Sequence, residues 1–88
     1  MISFEYTIKN INNIHARPLT ELADIVKQSK CDIMIEKDSL IKDLTKIISM
    51  IQLKLKISDK VEISIIGANE ELEKNAYQKV EKFFNDNF

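Results

Sequence analysis

Residues 2–26 read ISFEYTIKNINNIHARPLTELADIV, and the spacing of apolar side chains changes within this stretch. Ile2–Ile8 alternates between apolar and polar residues, which is the period of a strand with one buried face. From Leu19 onward the apolar residues recur at helical spacing, in the stripe Leu19, Leu22, Ala23 and Val26. The stretch therefore predicts a strand, a polar loop and an amphipathic helix. Pro18 fits the first helical turn, where its missing N–H removes no hydrogen bond.

The remaining sequence predicts three more strands and two more helices. We expect the strands at Asp32–Lys37, Leu40–Lys42 and Val61–Ile66, with a hairpin turn at Lys37-Asp38-Ser39 between the first two. A second helix should span about Lys46–Lys54, with Asp43 or Thr45 as its N-cap. A final helix follows the N-cap candidate Asn69 and carries the apolar stripe Leu72, Ala76, Val80 and Phe83 or Phe84.

The predicted order β-α-β-β-α-β-α defines the fold class. It indicates an α+β two-layer sandwich, an open-faced structure in which three helices cover one side of an antiparallel four-stranded sheet. A chain of 88 residues is expected to form one domain, over residues 1–88. This architecture supports many unrelated functions, so the function has to be argued from a site.

Composition excludes several classes of function. Thirteen Lys and Arg against fourteen Asp and Glu give a net charge of −1, which argues against a general nucleic-acid binder. One cysteine, Cys31, and one histidine exclude a disulfide framework and two-histidine zinc motifs, so we expect no metal and no cofactor. We interpret Cys31 as a small buried structural residue. No apolar run is long enough to span a bilayer, so the expectation is a cytoplasmic protein without membrane insertion.

The only His, Arg and Pro of the chain stand together in the tetrapeptide His15-Ala16-Arg17-Pro18. All other basic residues are Lys, so an Arg at this place suggests that its planar guanidinium is needed. At a helix start, the N–H groups of Ala16 and Arg17 have no intrahelical partner and, with the helix dipole, form an anion site. A ring nitrogen of His15 can accept a phosphoryl group there. The alternative is that His15 merely caps the helix and Arg17 is a solvated charge.

The second predicted helix carries more apolar residues than a core-facing stripe needs. Ile47, Ile48 and Ile51, with Leu44 and Met50 nearby, cover a wide arc, so we expect some of them to be exposed as a partner surface. Burial of the whole arc is the alternative. Three lysines could surround the surface and face acidic partners: Lys27, Lys46 and Lys54.

The motif Ile14-His15-Ala16-Arg17-Pro18, about fourteen residues into a chain of this length and element order, resembles HPr, the histidine phosphocarrier of the bacterial sugar phosphotransferase system. The resemblance implies that enzyme I phosphorylates His15 on a ring nitrogen, with phosphoenolpyruvate as donor, and that a sugar-specific IIA component receives the group. Arg17 would stabilise the phosphoryl group. Ile47, Ile48 and Ile51 fall at the family's docking positions, and Thr20 joins them. Such a protein is a relay without independent turnover, not an enzyme.

The sequence departs from the family at three positions. Lys46 stands where many members carry a regulatory serine, and a lysine cannot form a phosphate ester. Asn13 and Lys54 replace two glycines, and about two extra residues follow Lys54. Two alternatives stay open: a regulatory HPr paralogue that signals phosphorylation state to a transcription factor or metabolic enzyme, and a small interaction domain without a phosphate relay.

Overall fold

The computed structural model describes all 88 residues and contains seven regular elements. They are β1 (Ile2–Thr7), α1 (Ala16–Ser29), β2 (Asp32–Lys37), β3 (Leu40–Asp43), α2 (Ile48–Gln52), β4 (Lys60–Ile66) and α3 (Glu70–Asn87). The predicted order is confirmed, and most element boundaries lie within one or two residues of those expected.

The four strands form one antiparallel sheet in the order β1-β4-β2-β3. Alternate residues of the two central strands are fully buried, including Ile33 and Ile35 on β2 and Ile63 and Ile65 on β4. Their side chains share one core of 20 residues with the apolar faces of α1 and α3. The predicted α+β two-layer fold is therefore confirmed, with one face of the sheet covered and the other open.

Local signals for the turn and caps work as expected. Asp38 and Ser39 both have positive φ (50° and 69°), as a tight two-residue hairpin requires. The Asn69 side chain accepts a hydrogen bond from the Leu72 N–H at 2.9 Å and caps α3. Cys31 is buried, as its structural interpretation requires.

Helix α2 differs most from its prediction. It spans Ile48–Gln52 instead of Lys46–Lys54, and neither Asp43 nor Thr45 caps it. Asp43 ends β3, and its carboxylate accepts hydrogen bonds from the Thr45 N–H at 2.8 Å and the Thr45 hydroxyl at 2.7 Å. The Ser49 hydroxyl donates to the Asp43 main-chain oxygen. These contacts hold residues 43–47 as a compact turn, and the left-handed Lys54 (φ 52°) lies just beyond the helix end.

Asp59 fixes the loop between α2 and β4 to the β2–β3 hairpin. Its carboxylate pairs with the Lys37 ammonium at 2.8 Å and accepts a hydrogen bond from the Lys56 N–H at 2.8 Å. The hydrogen bond from Lys37, followed by that from Lys56, lowers the pKa of Asp59 below its ordinary value. Hydrogen bonds from Thr45, first from its N–H and then from its hydroxyl, likewise lower the pKa of Asp43.

We expect acid to weaken the fold through these carboxylates. A carboxylate whose pKa is lower in the folded chain stabilises it above about pH 4, and this stabilisation is lost as the pH falls through the folded-state pKa. Urea unfolding at pH 6, 4 and 3 should therefore show a falling free energy of unfolding. Asp59→Asn should be less stable than the original at pH 6 and lose less between pH 6 and pH 3. Asp24→Asn is the control, because Asp24 is exposed on α1 and its side chain pairs with nothing; equal pH profiles for Asp59→Asn and Asp24→Asn would contradict the prediction.

The open face of the sheet carries three glutamates in one row. Glu62 on β4 lies directly opposite Glu5 on β1 and Glu36 on β2, and all three are exposed. None of them forms an ion pair within the chain. Like charges directly opposite each other on neighbouring strands destabilise a sheet, so this row costs stability.

Removing the central charge of this row should stabilise the fold. Glu62→Gln keeps the shape of the side chain and removes both repulsions, so we expect the free energy of unfolding to rise by about 0.5 kcal/mol at low salt. The gain should shrink in 1 M NaCl, because salt screens exposed charges. Thermal unfolding at the two salt concentrations measures it. A gain that is equal at both concentrations would assign it to packing and not to charge.

Candidate functional site

His15 occupies the N-cap position of α1, with its side chain exposed. Its main chain is extended (φ −148°, ψ 173°), and its carbonyl accepts the Leu19 N–H at 3.2 Å. The imidazole makes no hydrogen bond to the helix. His15 thus occupies the N-cap position through its main chain only, and both ring nitrogens are free for another partner.

The first turn of α1 presents unpaired N–H groups beside His15. Ala16 and Arg17 are the first two residues of the helix, so their N–H groups lack intrahelical acceptors, and the helix dipole adds partial positive charge there. Pro18 follows them without an N–H to satisfy. The Arg17 side chain is exposed and forms no ion pair, which leaves its guanidinium free to bind an anion. The arrangement suits a group that carries negative charge next to the imidazole.

Thr20 lies one turn further along the same helix. Its hydroxyl is exposed and donates to the Ala16 main-chain oxygen at 2.7 Å. His15, Ala16, Arg17 and Thr20 thus lie within the N-cap and the first five residues of α1.

The apolar arc around α2 is divided between core and surface. Ile47, Ile48 and Ile51 are 44%, 50% and 51% exposed, whereas Leu44 and Met50 are buried. The three exposed side chains are called the α2 isoleucine surface below. Their exposure confirms the prediction that part of the arc faces solvent, and excludes burial of the whole arc.

The hydroxyl groups near Lys46 are already engaged. Lys46 itself is exposed at the turn that precedes α2. Ser49 is buried and donates to the Asp43 main-chain oxygen, and the Thr45 hydroxyl donates to the Asp43 carboxylate. This turn therefore presents an ammonium group to solvent and holds its two hydroxyls in internal hydrogen bonds.

The two positions where the family has glycine behave differently. Lys54 adopts the left-handed conformation that favours glycine, with φ of 52°. Asn13 has no positive φ. It uses its side chain instead, because its Nδ2 lies 3.4 Å from both the main-chain oxygen and the Oδ1 of Asn87.

Sequence patterns did not reveal that the end of α3 reaches this site. Phe88 accepts hydrogen bonds through its main-chain oxygen from the N–H groups of Lys9 and Asn10, at 2.6 and 2.7 Å. The only local signal was the polar, Asn-rich loop before His15. Asparagine is common throughout this chain, so that signal did not distinguish Asn13 from its neighbours.

No group of three or more His, Cys, Asp or Glu side chains is arranged to bind a metal ion. No helix combines the length and apolar composition needed to cross a membrane.

A protein-family model described as the PTS HPr component phosphorylation site matches residues 2–86. The chain therefore belongs to the HPr family of phosphocarrier proteins of the phosphotransferase system. No curated protein sequence is significantly similar to it.

Solved structures share this fold. The histidine-containing phosphocarrier protein of Mycoplasma aligns with a TM-score of 0.82 and 21% identity, over 97% of this chain and 93% of that chain. HPr from Bacillus anthracis str. Ames aligns with a TM-score of 0.77 and 18% identity, over 94% and 95% of the two chains. HPr-C-His from Thermoanaerobacter tengcongensis covers both chains fully, with a TM-score of 0.74 and 25% identity.

Proposed function

We propose that this chain accepts a phosphoryl group on His15 from enzyme I, with phosphoenolpyruvate as the primary donor, and passes it to a sugar-specific IIA component for sugar uptake. The observation that carries the proposal is an exposed imidazole without a partner, beside two free N–H groups and a free guanidinium. Membership of the HPr family supports the same relay. We place the relay in the cytoplasm.

The chemistry needs only a nucleophile and positive charge. A ring nitrogen of His15 donates its electron pair to phosphorus as the bond between phosphorus and the donor breaks, and the donor keeps that electron pair. The transferring group carries negative charge on its oxygens. The N–H groups of Ala16 and Arg17 and the guanidinium of Arg17 are placed to neutralise it. The reverse sequence at a IIA protein regenerates free His15, so the chain is a substrate and intermediate without turnover of its own.

Docking is assigned to the α2 isoleucine surface together with Thr20. Exposed apolar side chains on a small domain often mark a partner surface. Lys27, Lys46 and Lys54 are all exposed and could meet acidic groups around the partner's contact area. The partners expected from this chemistry are enzyme I and IIA components, and nucleic acid is not among them.

The direct test is intact mass spectrometry at mildly alkaline pH after incubation with phosphoenolpyruvate and the enzyme I of the same organism. We expect a mass gain of one phosphoryl group that is lost on mild acid treatment, as a phosphorus–nitrogen bond at histidine requires. A reaction without phosphoenolpyruvate is the control. No gain with the cognate enzyme I would overturn the proposal.

Arg17→Lys should slow transfer without unfolding the domain. Lysine keeps the charge but replaces a planar guanidinium, which can make bidentate hydrogen bonds, by a point charge. We therefore expect about tenfold lower kcat/KM for phosphorylation by enzyme I. Arg17→Gln, which loses the charge as well, should be slower still. Because Arg17 is exposed and unpaired, the free energy of unfolding should change by less than about 0.5 kcal/mol in both variants. Rates equal to those of the original chain would remove Arg17 from the site.

A further inference from the structure

The segment Lys9–Ile14 connects β1 to His15; Ile14 packs against the core, and the hydrogen bonds of the segment to the rest of the chain lead to one place only. Its internal hydrogen bonds run from Asn12 N–H to Asn10 Oδ1 and from Ile14 N–H to Ile11 oxygen. Every hydrogen bond that leaves the segment ends on residue 87 or 88, at the end of α3. The hydrogen bonds that hold the main chain before His15 therefore depend on where α3 ends.

The first of these attachments is rigid. The main-chain oxygen of Phe88 accepts both Lys9 N–H at 2.6 Å and Asn10 N–H at 2.7 Å. The Phe88 ring is buried in the core, with its centroid 5.0 Å from that of Phe84. The start of the segment is thus hydrogen-bonded to a residue that core packing holds in place.

The second attachment is made by two asparagine side chains and lies nearest to His15. Asn13 Nδ2 is 3.4 Å from both the main-chain oxygen and the Oδ1 of Asn87. Asn87 is itself oriented, because its Nδ2 donates to the Phe83 main-chain oxygen at 2.9 Å. Two residues after Asn13, the His15 imidazole has no hydrogen bond of its own to fix it.

We propose that Asn13 and Asn87 are positioning residues for the phosphoryl acceptor. Their contact holds the last turn of the segment in place. The main chain at Ile14 then sets the orientation of the His15 ring, which has no hydrogen bond of its own. The inference rests on the proposed function. Transfer to a ring nitrogen requires the reacting atoms in a narrow range of distance and angle, so a looser main chain lowers the rate of the chemical step more than it weakens docking.

The central experiment compares two identical chemical changes in the same segment. Asn13→Asp replaces the Nδ2 donor by an oxygen that faces the two Asn87 oxygens. The hydrogen bonds are lost, and the facing oxygens repel each other. Asn10→Asp is the matched control. In the original chain the Asn12 N–H donates to Asn10 Oδ1 at 2.7 Å, and the carboxylate of the variant accepts the same hydrogen bond. With phosphoenolpyruvate and the cognate enzyme I, Asn13→Asp should lower kcat about tenfold with KM nearly unchanged. Asn10→Asp should change neither.

A double-mutant cycle tests whether the two asparagines act through each other. Asn13→Ala and Asn87→Ala should each lower kcat about fivefold, the rate equivalent of ~1 kcal/mol for one neutral hydrogen bond. The double variant should be no slower than the slower single variant, since the contact is lost only once. Fully multiplicative losses would overturn the proposed coupling.

A spectroscopic readout separates positioning from general stability. In Asn13→Asp the Ile14 main-chain amide, which donates to the Ile11 oxygen, should exchange faster with solvent, and by a larger factor than the β4 amides. Unchanged exchange of the Ile14 amide, or an unchanged kcat in a chain that takes up the phosphoryl group normally, would overturn the positioning role alone. A wild-type chain that takes up no phosphoryl group would overturn the proposed function and the positioning role with it.

Discussion

His15→Ala is expected to abolish uptake of the phosphoryl group. The variant removes the only imidazole of the chain, and the nearby Thr20 hydroxyl is hydrogen-bonded to the Ala16 main-chain oxygen. Incubation with phosphoenolpyruvate and enzyme I should give no acid-labile mass gain, which is a loss of more than about a thousandfold in a reaction that depends on one covalent nucleophile.

The variant is informative because it should fold normally. The His15 side chain is exposed and forms no capping hydrogen bond, so its loss should change the free energy of unfolding by less than about 0.5 kcal/mol. Circular dichroism and urea unfolding check this. An acid-labile phosphoryl group that persists in folded His15→Ala would show that another side chain is the acceptor.

The double variant Ile48→Ser/Ile51→Ser should weaken docking. Both side chains are about half exposed, so in the free protein they contribute little to the core, but in a complex they would be buried against a partner. Loss of two central apolar contacts in an interface typically costs about 2 kcal/mol, a factor of about 30. We therefore expect kcat/KM for phosphorylation by enzyme I to fall about 30-fold, mainly through KM.

Ile66→Ser provides the control for this prediction and is compared with Ile48→Ser alone as well as with the double variant. Ile66 is 50% exposed, as Ile48 is, but it lies at the end of β4 and not on α2. The same change at the same exposure should leave kcat/KM within about twofold of the original. Equal losses in Ile66→Ser and in the α2 variant would mean that exposed apolar area in general, and not the α2 isoleucine surface, drives binding.

The fold could be predicted from local patterns because each element carries a strong one. The alternation in β1, the stripe of α1 and the Asn69 cap of α3 all lie within a few residues, and each determines its element almost independently of the rest of the chain. Helix α2 was predicted too long because its length depends on contacts with residues outside the helix. Its first turn is replaced by contacts of Thr45 and Ser49 with Asp43, and these depend on where β3 ends.

The candidate site was likewise predictable from the sequence only in part. The sequence placed His15, the Arg17 guanidinium and the free N–H groups in one helical turn, because they are adjacent in the chain and a helix start has a fixed geometry. It also indicated that Ile47, Ile48 and Ile51 exceed what one buried stripe requires. Which of the neighbouring apolar residues are buried was decided by packing, which hides Leu44 and Met50.

By itself, the sequence determined the class of fold, which follows from spacing over short stretches, and it indicated the proposed acceptor through the motif His15-Ala16-Arg17-Pro18 and its resemblance to the HPr family. Only the tertiary structure decided what holds the acceptor in place. Asn13 and Asn87 are 74 residues apart, and no periodicity or motif relates them. They meet because α3 packs along α1 and across β1 and β4 until its end reaches the loop before His15. A contact of this kind depends on how all the elements between the two residues pack, and short stretches of sequence do not specify that packing.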